Sequence, residues 1–194
     1  MASHRLESVV DRLRASDPDG ARRLAGARAA LSAVLASIVL YGAARLLHRS
    51  FVDALAGVIA STNGSVLPND RTPRARRTTA LVVPVVAIVA FTAGTLAPRG
   101  AVLDPLELAA VVSVSVWARR FGARGTALGV MGFLGYFFAL FFRASPARLP
   151  MMLGGIAVGG AIAVAVRAFV LRDGARSLLA RTIAAVRFAA ASVL

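Results

Sequence analysis

Long apolar stretches separated by short arginine-rich ones set the pattern of this chain. Six stretches reach or approach the roughly 20 residues that an α-helix needs to cross about 30 Å of hydrocarbon: 24–47, 51–67, 79–97, 101–117, 126–142 and 150–171. Each is apolar on every side, whereas a strand of a membrane barrel would alternate polarity over about ten residues. The pattern therefore predicts an all-α polytopic membrane protein, a six-helix transmembrane module over 24–171. The first and last of these stretches carry arginine only near their ends. In the first, Arg28 and Arg45 lie about 26 Å apart at 1.5 Å per residue, which lets each side chain snorkel to a headgroup layer. The second stretch is the weakest, being short and carrying Asp53, Ser61, Thr62 and Asn63. Pro84 is expected to bend the third, and Pro105 suits the first turn of the fourth.

The flanks differ. Residues 1–23 are polar and helix-compatible, with Leu6, Val9, Val10 and Leu13 at helical spacing, and end in the turn-like Asp17-Pro18-Asp19-Gly20. No small-residue cleavage site follows a short apolar core, so this is not the pattern of a secretory signal. Residues 172–194 read as a second amphipathic helix, with Leu178, Leu179, Ile183, Val186 and Phe188 among Arg176, Arg181 and Arg187. Both flanks are expected on the cytoplasmic side, and the C-terminal helix would lie on the membrane or pack beneath the bundle.

Composition supports this assignment. Hydrophobic residues make up 58% of the chain and charged ones 16%, with a mean hydropathy of +0.73. That is more apolar surface than a soluble core of this size hides. A net charge of +14 would by itself suggest nucleic acid, but all 23 basic residues are arginine and they fall between the apolar stretches. With the N-terminus in the cytoplasm, 18 arginines fall inside (Arg5 to Arg28, Arg71 to Arg77, Arg119 to Arg124, Arg167 to Arg187) and 5 outside (Arg45, Arg49, Arg99, Arg143, Arg148). Counted with the acidic residues, the inner side carries +12 and the outer +2. The positive-inside rule then places both termini in the cytoplasm, and the excess of charge becomes an orientation signal rather than a nucleic-acid surface.

Two segments carry a family resemblance. Trp117-Ala118-Arg119-Arg120-Phe121-Gly122-Ala123-Arg124-Gly125-Thr126-Ala127-Leu128-Gly129 runs into Phe133-Leu134-Gly135-Tyr136-Phe137-Phe138-Ala139-Leu140-Phe141. This run resembles the central signature of the fusaric-acid-resistance and aromatic-acid-exporter (FUSC) membrane proteins. The loop Asn69-Asp70-Arg71-Thr72-Pro73-Arg74-Ala75-Arg76-Arg77-Thr78 is similar to the matching loop there. The resemblance implies a multi-pass transporter of the bacterial cytoplasmic membrane that exports small organic acids, aromatic carboxylates above all, driven by protons. Longer members add a cytoplasmic domain or a second membrane module. A chain of this length is accordingly expected to act as a homo-oligomer, with a partner membrane subunit, or as one part of a larger transporter.

Several residues are candidates for that chemistry. Ser61, Thr62 and Asn63 put polar groups at membrane depth, where they either line a substrate path beside an unwound segment or cap a helix that ends early. Glu107 lies one turn inside the fourth span, where it would carry a proton or, with Asp104 and Asp53, form a solvated outer rim. Arg119, Arg120 and Arg124 would draw an anion to the inner mouth or bind lipid headgroups; Arg71, Arg74, Arg76 and Arg77 divide the same way, with Asp70 as an ion-pair partner. Phe133, Tyr136, Phe137, Phe138, Phe141 and Phe142 would stack an aromatic ligand or form an outer belt matched by Trp117 at the inner end. Glycines at 125 and 129, and at 155 and 159, share helix faces and allow close packing within the chain or between protomers.

The chain has no cysteine, and His4 and His48 belong to no ligand spacing, so no metal or other cofactor is expected. Neither a phosphate-cradling loop nor a serine elbow nor paired catalytic carboxylates occur, which argues against an enzyme and against ATP drive. The competing reading is a scaffold: a non-transporting membrane subunit of a larger complex. The orientation is open to direct test. Cysteines introduced as Arg99→Cys and Arg148→Cys should react with a membrane-impermeant maleimide from the outside only; labelling from the cytoplasm would reverse the assignment.

Overall fold

The computed structural model describes residues 21–67, 70, 72–98, 100 and 103–170, and all regular structure among them is helical. Six α-helices follow one another: α1 (Ala21–Leu46), α2 (Leu55–Val66), α3 (Pro73–Leu96), α4 (Leu103–Ala118), α5 (Gly122–Phe141) and α6 (Leu149–Ala165). A 3-10 turn, Phe51–Ala54, leads into α2, another, Arg119–Phe121, joins α4 to α5, and a π-type turn, Val166–Val170, continues α6. Four helical segments are long and apolar enough to cross a membrane: Arg22–Leu46, Arg74–Leu96, Asp104–Phe141 and Leu149–Phe169. The terminal amphipathic helices expected over 1–23 and 172–194 fall, apart from 21–23 in α1, outside the described residues.

The third of these segments is folded back on itself. Gly122 takes a positive φ of 75°, a conformation that a side chain would strain, and the chain reverses there. Beyond the reversal, Gly125 meets the carbonyl of Ala118, Gly129 that of Ser115, and Tyr136 reaches Glu107. Partners that recede in one helix as they advance in the other define an antiparallel hairpin. The α1–α2 pair obeys the same rule, since Tyr41 meets Phe51, Leu40 meets Gly57, and Ser61 reaches Ser32.

Contacts between helices distant in sequence run in parallel instead. Gly57 lies against Gly155 and Gly159, Gly64 against Ala163, and Ser65 bonds Arg167, so α2 and α6 advance together. In the same way Gly132 meets Val86, Gly135 meets Ala87, and Gly94 meets Ala139, which makes α3 and α5 parallel. Pro84 of α3 touches Gly160 of α6 between these pairs. The helices thus pack in the order α1, α2, α6, α3, α5, α4. These directions bring Arg22, Arg23, Arg28, the arginines of α3's first turns, Arg119, Arg120, Arg124 and Arg167 to one end, and leave Arg45, Arg49, Arg143 and Arg148 at the other.

The core is made of small residues around a few large ones. Phe91, Val83, Met152 and Ile156 are fully buried among Ala56, Ala60, Ala87, Ala127 and Ala139. The outward faces are apolar too: Leu81, Val85 and Val89 recur every fourth residue on α3 at 63%, 56% and 62% exposure. Such a stripe opposes the polar surface that water demands and suits lipid. Where lipid replaces water, apolar burial no longer drives helices together, and close backbone approach takes over.

Several boundaries differ from those the hydropathy pattern predicts. Helix α3 begins at Pro73 rather than 79, because Thr72 accepts a hydrogen bond from the Ala75 amide (3.3 Å) and proline opens the first turn. Helix α5 begins at Gly122 rather than 126, taking Arg124 into its first turn. The second predicted span opens as a 3-10 turn and becomes α-helical only at Leu55. Helix α3 continues through Pro84.

The glycine seam yields a matched pair of expectations. A Cβ at Gly159 would collide with the Gly57 backbone, whereas one at Gly154 on the same helix meets nothing within 4 Å. Gly159→Ala should cost about 1–3 kcal/mol by overpacking, seen as a lower denaturation midpoint in detergent micelles. Gly154→Ala should leave the midpoint unchanged or raise it.

Candidate functional site

Two layers of different chemistry meet in the middle of the bundle. The first is an apolar cavity of about 20 Å³, room for about one water molecule. It lies among α2, α3, α5 and α6, with Ile59, Phe91, Met131, Leu134, Phe138 and Ile156 in its wall. Small side chains at Ala56, Ala60, Ala87 and Gly135 leave this space open.

A polar layer begins one turn away, toward the arginine-rich end. Ser61 donates to the carbonyl of Ser32 across the α1–α2 contact (3.2 Å). Ser65 turns back on its own helix to the Thr62 carbonyl (2.7 Å), and its own carbonyl accepts from the Arg167 guanidinium (3.1 Å). That cation stands at the C-terminal end of α2, where the helix dipole and the last free carbonyls favour positive charge. Arg28 is only 6% exposed, one turn before Ser32 on the same face of α1. The buried oxygens Ser32 Oγ, Thr79 Oγ1 and Asp70 Oδ2 have no hydrogen-bond partner among the described residues, which leaves acceptor and donor capacity in this layer.

The sequence candidates distribute themselves unevenly over this geometry. Asn63 does not break α2: the helix runs through to Val66, with Asn63 Nδ2 donating to the Ile59 carbonyl (3.0 Å) and Thr62 Oγ1 to that of Val58 (2.9 Å). The unwound segment expected there is absent because these side chains satisfy themselves on the preceding turn. Of the three polar candidates in α2, Ser61 is the one that reaches another helix. Arg119, Arg120 and Arg124 are exposed at the same end of the molecule but on the opposite flank, at the α4–α5 reversal. Arg120 lies over the rings of Trp117 (4.0 Å to the centroid) and Phe121 (4.9 Å), a cation–π arrangement that fixes its direction. Arg76 reaches Asp70 through the backbone, donating from Nε (3.2 Å) and Nη2 (3.0 Å) to the Asp70 carbonyl.

Three expectations need correction. Arg28 is buried among helices rather than extended toward headgroups. Tyr136 belongs to no outer belt, being 6% exposed and hydrogen-bonded through its hydroxyl to Glu107 Oε2 (2.5 Å). Phe138 also turns inward, to the cavity wall. The other aromatics form ladders along α5, Phe133 on Phe137 on Phe141, rather than a ring at one depth. Asp104 sits at the start of α4 and accepts from the Gly100 amide (3.1 Å), which fixes the entry to the helix.

The Tyr136–Glu107 bond was not foreseen from the sequence, where both residues were candidates for different reasons. Its contribution can be measured by a double-mutant cycle on Tyr136→Phe and Glu107→Gln. A coupling of about 1 kcal/mol is expected for a hydrogen bond in this setting; purely additive effects would mean that the bond does not hold the hairpin.

No protein-family model matches the chain, and no curated protein or solved structure is significantly similar to it.

Proposed function

We propose that this chain is a FUSC-like membrane transport module that moves small organic acids, aromatic carboxylates in particular, out of a bacterial cell by proton-driven efflux. The observation that carries the proposal is the succession of the two layers: a polar layer holding Arg28 and Arg167 on the arginine-rich side of an apolar cavity walled by Phe91 and Phe138. An aromatic acid has the same polarity, a carboxylate that pairs with guanidinium and a ring that suits an apolar, aromatic wall.

In this reading all six helices span the cytoplasmic membrane, with α1, α3 and α5 running outward and both termini inside. The short α2 and α4 cross with help from the turns that flank them. The clustering of arginines at one end supports that orientation. Substrate collects at the inner mouth near Arg119, Arg120 and Arg124, passes the polar groups around Ser61, and moves on between the helices at the central cavity, which has to widen from its present size to admit it. Glu107, held by Tyr136 near the opposite end, is the proton carrier.

A scaffold would engage other subunits through small-residue faces and the arginine-rich inner surface. Gly125, Gly129, Gly155 and Gly159 are instead used inside the chain, so a homo-oligomer or partner subunit would have to use other surface.

Reconstituted protein should move a hydroxylated benzoate in response to an imposed pH gradient. Glu107→Gln should cut that flux at least tenfold, and unchanged flux would remove Glu107 from the proton path. A correctly folded protein with no flux of any organic acid would favour the scaffold.

A further inference from the structure

The two hairpins are built on one register. Tyr136 and Glu107 lie 75 residues after Ser61 and Ser32 (61 to 136, 32 to 107), and each pair makes the hydrogen bond that joins the two helices of its hairpin. The same shift carries Ala56, Ile59 and Ala60 of the cavity wall onto Met131, Leu134 and Gly135, which form the wall on the other side. The contact between Pro84 and Gly160 maps onto itself to within one residue (84 to 159, 160 to 85). A contact that is its own image lies on a two-fold axis.

The packing order has the same symmetry. Shifting each helix by three turns α1–α2 into α4–α5, and turns the parallel pair α2 and α6 into the parallel pair α5 and α3. Proline stands in the first turn of the third helix of each half, Pro73 in α3 and Pro150 in α6. Because each half contains three helices, α1 and α4 run in opposite directions, so the halves are inverted with respect to each other. The axis passes through the central cavity, across the direction of the helices.

One departure from symmetry stands out. Helix α1 packs on α6 as well as α2 and buries Arg28, Ser32, Ala36, Leu40 and Ala44, one residue per turn. Its counterpart α4 packs on α5, makes no comparable contact with α3, and has no buried residue over 104–118. The two halves thus hold equivalent helices in different positions.

From this asymmetry we propose that residues 21–96 and 103–170 are two inverted copies of one three-helix unit, and that the molecule alternates between two states by exchanging their conformations. In the second state α4 lies on α3 as α1 now lies on α6, and α1 stands away from α6 as α4 now stands away from α3. The exchange switches which side of the membrane the central cavity is closed against, as inverted repeats allow. Its consequence for transport rests on the function proposed above; the repeat and the exchange do not.

The absence of cysteine gives a clean background for spin labels. Val39 and Val164 report the α1–α6 separation, and the 75-residue shift turns them into Val114 and Val89, which report α4–α3. Val39, Val89 and Val114 are exposed at 47%, 62% and 64%, and Val164 is half-buried, so labels there spare the core. The variants Val39→Cys/Val164→Cys and Val114→Cys/Val89→Cys would be labelled, reconstituted, and measured by pulsed dipolar spectroscopy, with and without salicylate and a pH gradient. The expected result is the same two distances in both pairs with reciprocal populations, shifted in opposite directions by the gradient or the salicylate. A single unchanging distance in each pair under all conditions would overturn the exchange. Salicylate flux in the same vesicles separates the two proposals: exchange without flux retains the repeat and rejects transport, and flux with fixed distances does the reverse.

Discussion

Backbone against backbone at glycine is the contact on which this bundle depends. Gly57 of α2 sits between Gly155 and Gly159 of α6, and the three together bring two parallel helices closer than any side chain would allow. In lipid the apolar surface of a helix gains little by leaving its surroundings, so association relies on dispersion and on fit, both of which fall off steeply with distance. Removing the Cβ is the most direct way to shorten that distance. The same device recurs where Gly125 and Gly129 meet the backbone of α4, and where Gly135 meets Ala87 of α3. The α2–α6, α3–α5 and α4–α5 seams each close on a glycine, and the few large core side chains, Phe91, Met152 and Ile156, fill what is left.

Many polar side chains follow the complementary rule and are satisfied within their own helix. Thr62, Asn63, Thr92 and Thr95 all donate to the carbonyl four residues back, which removes a hydrogen-bonding group from the apolar interior without needing another helix. Polar contacts that cross between helices include Ser61 to Ser32, Tyr136 to Glu107, and Arg167 to Ser65. Because they are directional, they fix register. The first two are the clamps of the two hairpins, and the third ties the ends of α2 and α6 together.

Much of this was readable from the chain, and the rest was hidden for identifiable reasons. Apolar length located the helical stretches, since a run of Ala, Val and Leu offers no other way to satisfy its backbone in lipid, but among the described residues four helical segments, not six, are long and apolar enough to cross a membrane. It misplaced the starts of α3 and α5, because hydropathy detects charge whereas Arg74, Arg76, Arg77 and Arg124 are good helix formers. The Thr72-Pro73 pair was an available start signal. Asn63 was misleading because a polar residue in an apolar run looks like an interruption, although its side chain bonds to its own helix. The glycine pairs announced close packing but not their partners. That α2 meets α6, or that Tyr136 alone among the α5 aromatics finds a carboxylate, depends on which faces are brought together, and a one-dimensional pattern does not encode that.

The small-residue core reverses the usual relation between depth and freedom to vary. In a soluble domain the large buried side chains are constrained and the surface drifts. Here Gly57, Ala87, Gly135 and Gly159 accept almost no enlargement, while Leu81, Val85 and Val89 face outward and can exchange with any apolar side chain of similar hydropathy. Over evolutionary time such a chain keeps its glycines and alanines and loses the identity of its valines and leucines. The surviving signature is then sparse, carried by residues so common in membrane helices that they barely distinguish one lineage from another. Ancestry in a protein of this kind is recorded mainly in the spacing of its gaps.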